Sequence, residues 1–439
     1  MDVHPHDDRL DRLEAGVGGA VVVAFVLARA IPFARARVGL DFDSFDYLAL
    51  ARHGSIGGVL AAHRPPVYLL FLKLLGENRQ LVTWVQLVIA SAAWVWLAAA
   101  TARNLRTRGG RDIGFLAILF VGSSLGMAQW DRVIGTESLS ISLGVTTLAA
   151  VLWWWDRWSP LGVAAVCASA TLWALLRDAN AAMVGVAGIV VLVVAATRRG
   201  FRRPLILIGA VALAASVGAI VSSNIGVRWR QPMQDVVTLR LLSSPERASF
   251  LLHHGLPLSR AEAHDLAGRC ANPVGAFLCK KVTNQRFYDW IDQDARSVYA
   301  RSWFAFPATT AWEPLAHERE IIGIRLPVAE ITGTQLHAGF AEPVDVVAFP
   351  RSPIVVLAWI AILAVGVALL GARRPIPLAS IACALIVLTY VHLWVVWHGD
   401  AAELARHGLA ASLQLALGLW FLSIGLVDAL IGYLRELPR

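Results

Sequence analysis

About ten long apolar runs limit the fold of this chain more than any other feature. They lie near 15–38, 80–102, 112–128, 136–155, 160–176, 181–197, 204–223, 353–371, 376–397 and 408–433. A helix crosses a bilayer with about 20 mostly apolar residues. In hydrocarbon the backbone must satisfy its own hydrogen bonds, which a helix does within one segment. The runs are continuous rather than alternating, so the expected class is an all-α polytopic membrane protein of about ten transmembrane helices. Charge content agrees: 16% of the 439 residues are charged, against about 25% in soluble domains. The 17 Trp suit two interfacial belts, and Trp153 to Trp155 read as belt residues.

Arginines set the expected orientation. Arg103, Arg106, Arg108 and Arg111, then Arg157, then Arg198, Arg199, Arg202 and Arg203, then Arg373 and Arg374, and finally Arg435 and Arg439 fall in alternate connections. The positive-inside rule puts these, with the amino and carboxy termini, in the cytoplasm. Arg35 and Arg37 depart from the rule, either as snorkelling side chains or as cations for a phosphate. Ala28-Arg29-Ala30 resembles a cleavage site, but the acidic, His-rich MDVHPHDD start argues for an uncleaved first helix. The net charge of +8 fits cytoplasmic loops and anionic membrane lipids. No nucleic-acid-binding motif is present. The abundance of Ala and Arg points to a GC-rich bacterial genome, hence to a multi-pass protein of a bacterial plasma membrane.

The expected organisation is an amino-terminal transmembrane module, 1–223, with a polar first outer loop at 39–79. A small, mostly helical outer domain follows at 224–352, with a helix expected over Arg286 to Trp303. Carboxy-terminal transmembrane helices close the chain at 353–439. Cys167 and Cys383 sit in apolar runs as small core residues. Cys270 and Cys279 lie in the polar segment and are a candidate disulfide if it faces an oxidising compartment. No Cys or His spacing indicates a zinc site.

The stretch Leu40 to Leu75, LDFDSFDYLALARHGSIGGVLAAHRPPVYLLFLKLL, concentrates polar chemistry at the mouth of the first membrane helix. It carries Asp43, Asp46, Tyr47, His63, Arg64 and Tyr68. The same side collects Asp131, Arg132 and Glu137, then Arg177 and Asp178, then Asp400, Glu403, Arg406 and His407. Ionisable groups in or beside membrane spans are costly and tend to be functional. Each also has a plainer role: Asp43 as a helix cap, His63 to Pro66 as a turn into a helix, Glu137 as an acid at a helix amino end, Arg406 and His407 as interfacial anchors. All of them fall on one leaflet.

Their order resembles the C-type (GT-C) integral-membrane glycosyltransferases, the superfamily of protein O-mannosyltransferases and lipid A aminoarabinose transferases. The matching pieces are D-S-x-x-Y-x-x-x-A at Asp43 to Ala51, H-R-P-P-x-Y at His63 to Tyr68, T-E-S-L at Thr136 to Leu139, the Arg177 turn and E-x-x-R-H at Glu403 to His407. The amino half carries most of the resemblance, the late loop the rest, and 224–352 none.

The resemblance implies a GT-C-like fold with juxtamembrane helices in the first outer loop, and transfer of a sugar from a polyprenyl-phosphate donor to an extracytoplasmic glycan, lipid or protein. It implies a general base in the first loop, at Asp43 or Asp46, and a second acid at Glu137 or Asp131. The chemistry suits these residue types. A lipid phosphate leaves without a general acid, so one carboxylate suffices to take the acceptor proton. Arg64, Arg177 and Arg406 are candidates for the departing phosphate, and His63 for phosphate or sugar. Tyr68, Asp131, Glu403 and His407 complete the expected donor site. Glu137 would orient hydroxyls or hold a divalent cation if one is used; no metal ligand set is assigned. Two other readings compete. A secondary transporter would show mid-membrane charges, broken helices and a repeat. A lipid-linked-oligosaccharide polymerase or ligase would load its late loops instead of its first.

Overall fold

The computed structural model describes residues 5–60, 62–197, 199–270, 285–322, 341–350, 352–371, 376–399, 401 and 404–436. The protein is an all-α polytopic membrane protein, and every apolar run falls on a helix. In chain order these begin with α1 (Pro5–Arg35), α2 (Phe42–His53), α3 (Ile56–Leu60), α4 (Pro66–Leu74), α5 (Arg79–Arg103) and α6 (Arg108–Gly122). They continue with α7 (Leu125–Ala128), α8 (Thr136–Trp153), α9 (Pro160–Leu176), α10 (Asp178–Thr197) and α11 (Arg202–Ile225). Helices Pro353–Gly371, Pro377–Gly399 and Leu409–Glu436 close the chain.

Among the described residues, eight helices are long and apolar enough to cross a membrane. The expected count of about ten therefore resolves into eight full-length candidates, one bent pair and one shorter helix. The bent pair is the third run, where α6 and the Leu125–Arg132 segment meet at 53°. Its cause is tertiary: Gly122 lies flat against the Trp94 indole. The Asp345 carboxylate then accepts from Ser124 Oγ (2.5 Å) and from Gly126 N (3.1 Å), capping the second piece. The shorter helix is α9, 17 residues long.

The main core lies between α5, α6, α8 and Leu409–Glu436, around Trp94, Leu97, Trp130, Leu419 and Phe421. Asp428 fixes one end of this packing. Its carboxylate accepts from Arg106 N (3.0 Å), Thr107 N (2.8 Å) and Thr107 Oγ1 (2.7 Å), while Thr107 caps α6 through Gly110 N. Helices α9, α10 and α11 form a second group around Ala170, Ala174, Ala181, Ala212, Ala215 and Ala219, small residues that let membrane helices approach closely.

At the other end, strands β1 (Gly39–Leu40) and β2 (Val133–Ile134) pair in parallel. Ser44 Oγ donates to the Ile134 carbonyl (2.5 Å) and accepts from Asp41 N (2.7 Å). The first loop is thus pinned to the chain entering α8.

Between α11 and Pro353 the described residues are helical, with their own core around Val237, Leu241, Phe287, Trp290 and Tyr299. The helix expected over Arg286 to Trp303 is split at Asp294 into Gln285–Gln293 and Ala295–Ala305. This segment sits against the loops described next. Gly226 touches the Ala62 carbonyl and Gly408 the Ile321 carbonyl, with no room for a side-chain carbon at either.

Candidate functional site

The chain leaves α1 through β1, passes Asp41 and enters α2 with Asp43 in its first turn. After α3 it turns through His63 and Arg64, and Pro66 opens α4, a position where the missing N–H costs nothing. Glu137 lies in the first turn of α8. Arg177 separates α9 from α10, and Arg406 and His407 precede the last helix.

These pieces meet. Arg406 Nη1 binds Asp41, its Nη2 binds Asp43, and its Nε lies 3.2 Å from Glu137 Oε1. Arg64 Nη2 reaches Asp43 Oδ1 at 2.6 Å and Asp46 Oδ2 at 3.0 Å. His63 Nε2 lies 3.3 Å from Asp46 Oδ2. Arg177 Nη1 is 3.4 Å from Glu137 Oε1. Its Nη2 lies 2.8 Å from His407 Nδ1. Since a guanidinium only donates, His407 accepts at Nδ1 and carries its proton on Nε2. The group brings together Asp43, Asp46, His63, Arg64, Glu137, Arg177, Arg406 and His407.

Burial grades the network. The Asp46 carboxylate is 48% exposed and Asp43 18%, whereas Asp41 is 5% and Glu137 3%. A group that takes a proton from a substrate must be reachable by it, which favours Asp43 and Asp46. Asp41 and Glu137 lie behind, orienting Arg406. Burial pushes the Asp43 carboxyl up, but the guanidiniums of Arg406 and Arg64 outweigh it and hold it below the usual carboxylate range. Burial lowers the Arg64 guanidinium, and Asp43 more than restores it. Burial, reinforced by Asp43, drives the Tyr47 phenol far above its ordinary value, so Tyr47 stays neutral beneath Arg64, 5.4 Å from its ring.

Tyr68 supports the loop from below. It is fully buried, meets the Tyr47 ring edge-on at 5.0 Å and donates to Gln86 Oε1 (3.1 Å). Gln86 Nε2 in turn donates to the carbonyls of Asp131 (3.0 Å) and Val133 (2.9 Å). Asp131 is engaged elsewhere: its carboxylate pairs with Arg29 at 2.5 Å and accepts from Ser138 Oγ at 2.7 Å, all three buried. Arg132 donates to the Ala36 carbonyl (2.9 Å) and Thr83 Oγ1 (3.1 Å). Asp178 pairs with Arg228 at 3.0 Å. Asp400, Glu403 and Cys279, with the Cys270 side chain, lie outside the described residues. Among the described residues no group of three or more His, Cys, Asp or Glu side chains is arranged to hold a metal ion.

Three contributors escaped the sequence reading. Asp41 could have been found as the first of three acids in LDFDSFD. Arg29 could have been found as a charge within the first apolar run, and Gln86 as an amide within the second. A scan against protein-family models and a search of curated proteins found no match for this chain.

Proposed function

We propose that this chain is an integral-membrane glycosyltransferase of GT-C type, moving a sugar from a polyprenyl-phosphate donor to an extracytoplasmic acceptor. The observation that carries the reading is the meeting of an accessible carboxylate, Asp43, with two guanidiniums from opposite ends of the chain, Arg64 and Arg406. With the Arg-rich connections in the cytoplasm, the cluster faces outward at the bilayer surface. There a lipid-borne phosphate and a water-borne acceptor can meet.

The acceptor hydroxyl oxygen forms its bond to the anomeric carbon as the bond from that carbon to the phosphate oxygen breaks. The electron pair departs with the polyprenyl phosphate, and the hydroxyl proton passes to the carboxylate. In-line attack inverts the anomeric centre. Arg64 and Arg406 carry the leaving charge through paired N–H donors. An arriving phosphate competes for those N–H groups. As they turn to it, Asp43 loses the cations that hold its carboxyl low and becomes a better base. Asp46, more exposed and held by Arg64 and His63, is the other base candidate. Glu137 and Asp41 keep Arg406 in place.

The test uses membranes containing wild type or Asp43→Asn, supplied with radiolabelled polyprenyl-phosphate sugars. Wild type should transfer label, and Asp43→Asn should lose about a hundredfold or more at equal expression. Unchanged transfer in Asp43→Asn moves the base to Asp46. The reading fails if wild type consumes no such donor. Counterflow uptake in proteoliposomes that is lost in Glu137→Gln would make the chain a transporter.

A further inference from the structure

The extramembrane segment holds a second apolar surface, unrelated to the polar cluster. Helices Ala295–Ala305 and Pro307–Ala316 follow one another across Phe306, and over 304–316 (FAFPATTAWEPLA) the only charged residue is Glu313. That carboxylate is turned inward, to Arg247 Nη2 at 2.9 Å and to Trp397 Nε1 at 3.0 Å. What this stretch exposes is Phe304 (85%), Trp312 (65%) and Leu315 (38%), with Ala, Pro and Thr at its other exposed positions. Charge returns on both flanks, with exposed Arg301 before it and exposed Arg319 and Glu320 after it.

A neighbouring helix of the same segment is an internal contrast. Arg260–Cys270 exposes Glu262, His264, Asp265 and Arg269, as a water-facing helix does. An exposed surface lacking any charge calls for a partner that is itself apolar.

The contacts of 304–316 identify that partner by fixing its depth. It packs against Pro377–Gly399, whose stretch Leu378–Gly399 is one of the membrane-crossing candidates. The Thr310 carbonyl accepts from His398 Nε2 at 3.0 Å, near the end of that helix. The Ala311 carbonyl accepts from Tyr390 Oη at 2.7 Å. Trp303 meets Trp394 at 4.8 Å between ring centres. Tyr390 sits about 13 Å below the Gly399 end at ~1.5 Å per residue. A span that fills a hydrocarbon core of about 30 Å therefore carries its contacts with this stretch inside one leaflet.

We propose that residues 304–316 form a lipid-immersed helical segment, with Phe304, Trp312 and Leu315 against the acyl chains of the bilayer. Its polar demands are met by protein: Glu313 by Arg247 and Trp397, and two of its carbonyls by Tyr390 and His398. Pro307 opens the helix and removes one amide donor that would otherwise need a partner. Trp312 is of the residue type that gathers at bilayer boundaries. The outer domain is thus anchored in the membrane at 304–316, and the inference holds whatever reaction the polar cluster performs.

The test uses the full chain in native membranes with two labels, read by peptide mass spectrometry. One is a membrane-partitioned diazirine that yields a carbene; the other is hydroxyl radical generated in the water. Helix Pro353–Gly371, which exposes Ile354, Leu357 and Ile362, is the lipid-facing control. Helix Arg260–Cys270 is the aqueous one. The 304–316 peptide should take carbene label comparably with Pro353–Gly371, and Trp312 should lose its hydroxyl-radical oxidation. Oxidation of Trp312 without carbene label would overturn the proposal by placing 304–316 in water. Protection from both labels would overturn it too, because a second copy or another protein would then cover the surface.

Discussion

Arg406 binds the carboxylate of Asp43, a residue 363 positions earlier in the chain. The same guanidinium holds Asp41 and lies beside Glu137, so one cation organises acids from two distant loops. Removing one partner of a buried ion pair leaves uncompensated charge and costs about 3–5 kcal/mol. Arg406→Ala should lower thermal stability in detergent by that order and abolish the proposed transfer. Arg406→Lys keeps the charge but loses the fork of donors, so it should regain more stability than activity. Equal stability of all three proteins would refute the organising role.

The Asp43 carboxyl is held low, which sets a direction for acid. A depressed folded-state value contributes stability that is complete above the unfolded value, about 3.9. The contribution is then lost as pH falls through the lowered one. Stability should therefore be insensitive to this group from neutral pH to about pH 5, and the wild-type advantage should vanish only below about pH 4. Melting curves of wild type and Asp43→Asn across that range should converge at the acid end. Convergence already near neutrality would contradict the assignment.

Two glycines beside the network should respond differently to the same change. A methyl at Gly135 would sit 2.6 Å from Glu137 Oε2, the far end of a side chain that can swing away. Gly135→Ala should still fold, with some loss of stability, and lose the proposed transfer, because Glu137 leaves Arg177 and Arg406. At Gly408 the methyl would meet the Ile321 backbone carbonyl, which has no such freedom. Gly408→Ala should unfold at lower temperature or expose the 285–322 helices to protease. Identical behaviour of the two variants would count against both contacts.

Arg29 and Asp131 form a buried pair between α1 and the chain entering α8. Arg29→Met or Asp131→Leu alone should destabilise by about 3–5 kcal/mol, and the double variant should recover most of that loss. A double-mutant cycle measures the coupling; additive losses would mean that the pair does not act as one unit.

The spans were legible because hydrocarbon demands long apolar helices, and eight of the ten runs carry one, the third being bent and the fifth short. The break after Gly122 was not, because it depends on the Trp94 face and on Asp345, which comes from a connection more than 200 residues later. Within the polar cluster, residue types and loops could be read, since charge at a span end is conspicuous. Partners could not: Asp41, Asp43 and Asp46 look alike in sequence, and only packing decides which reaches Arg406, Arg64 or His63. Asp131 shows the same limit. It stands six residues from Glu137 in the chain, yet its carboxylate belongs to Arg29. Arg29 itself looked like part of a cleavage site.

The contact between Arg406 and the first loop also sets an order of events at the ribosome. Asp41, Asp43 and Glu137 enter the membrane system early, while their shared cation is synthesised 363 positions after Asp43. At ordinary translation speeds that gap is on the order of tens of seconds. Of the partners seen in the finished cluster, Arg64 for Asp43 and Arg177 for Glu137 are made earlier, so the cluster is completed only when the final span is delivered.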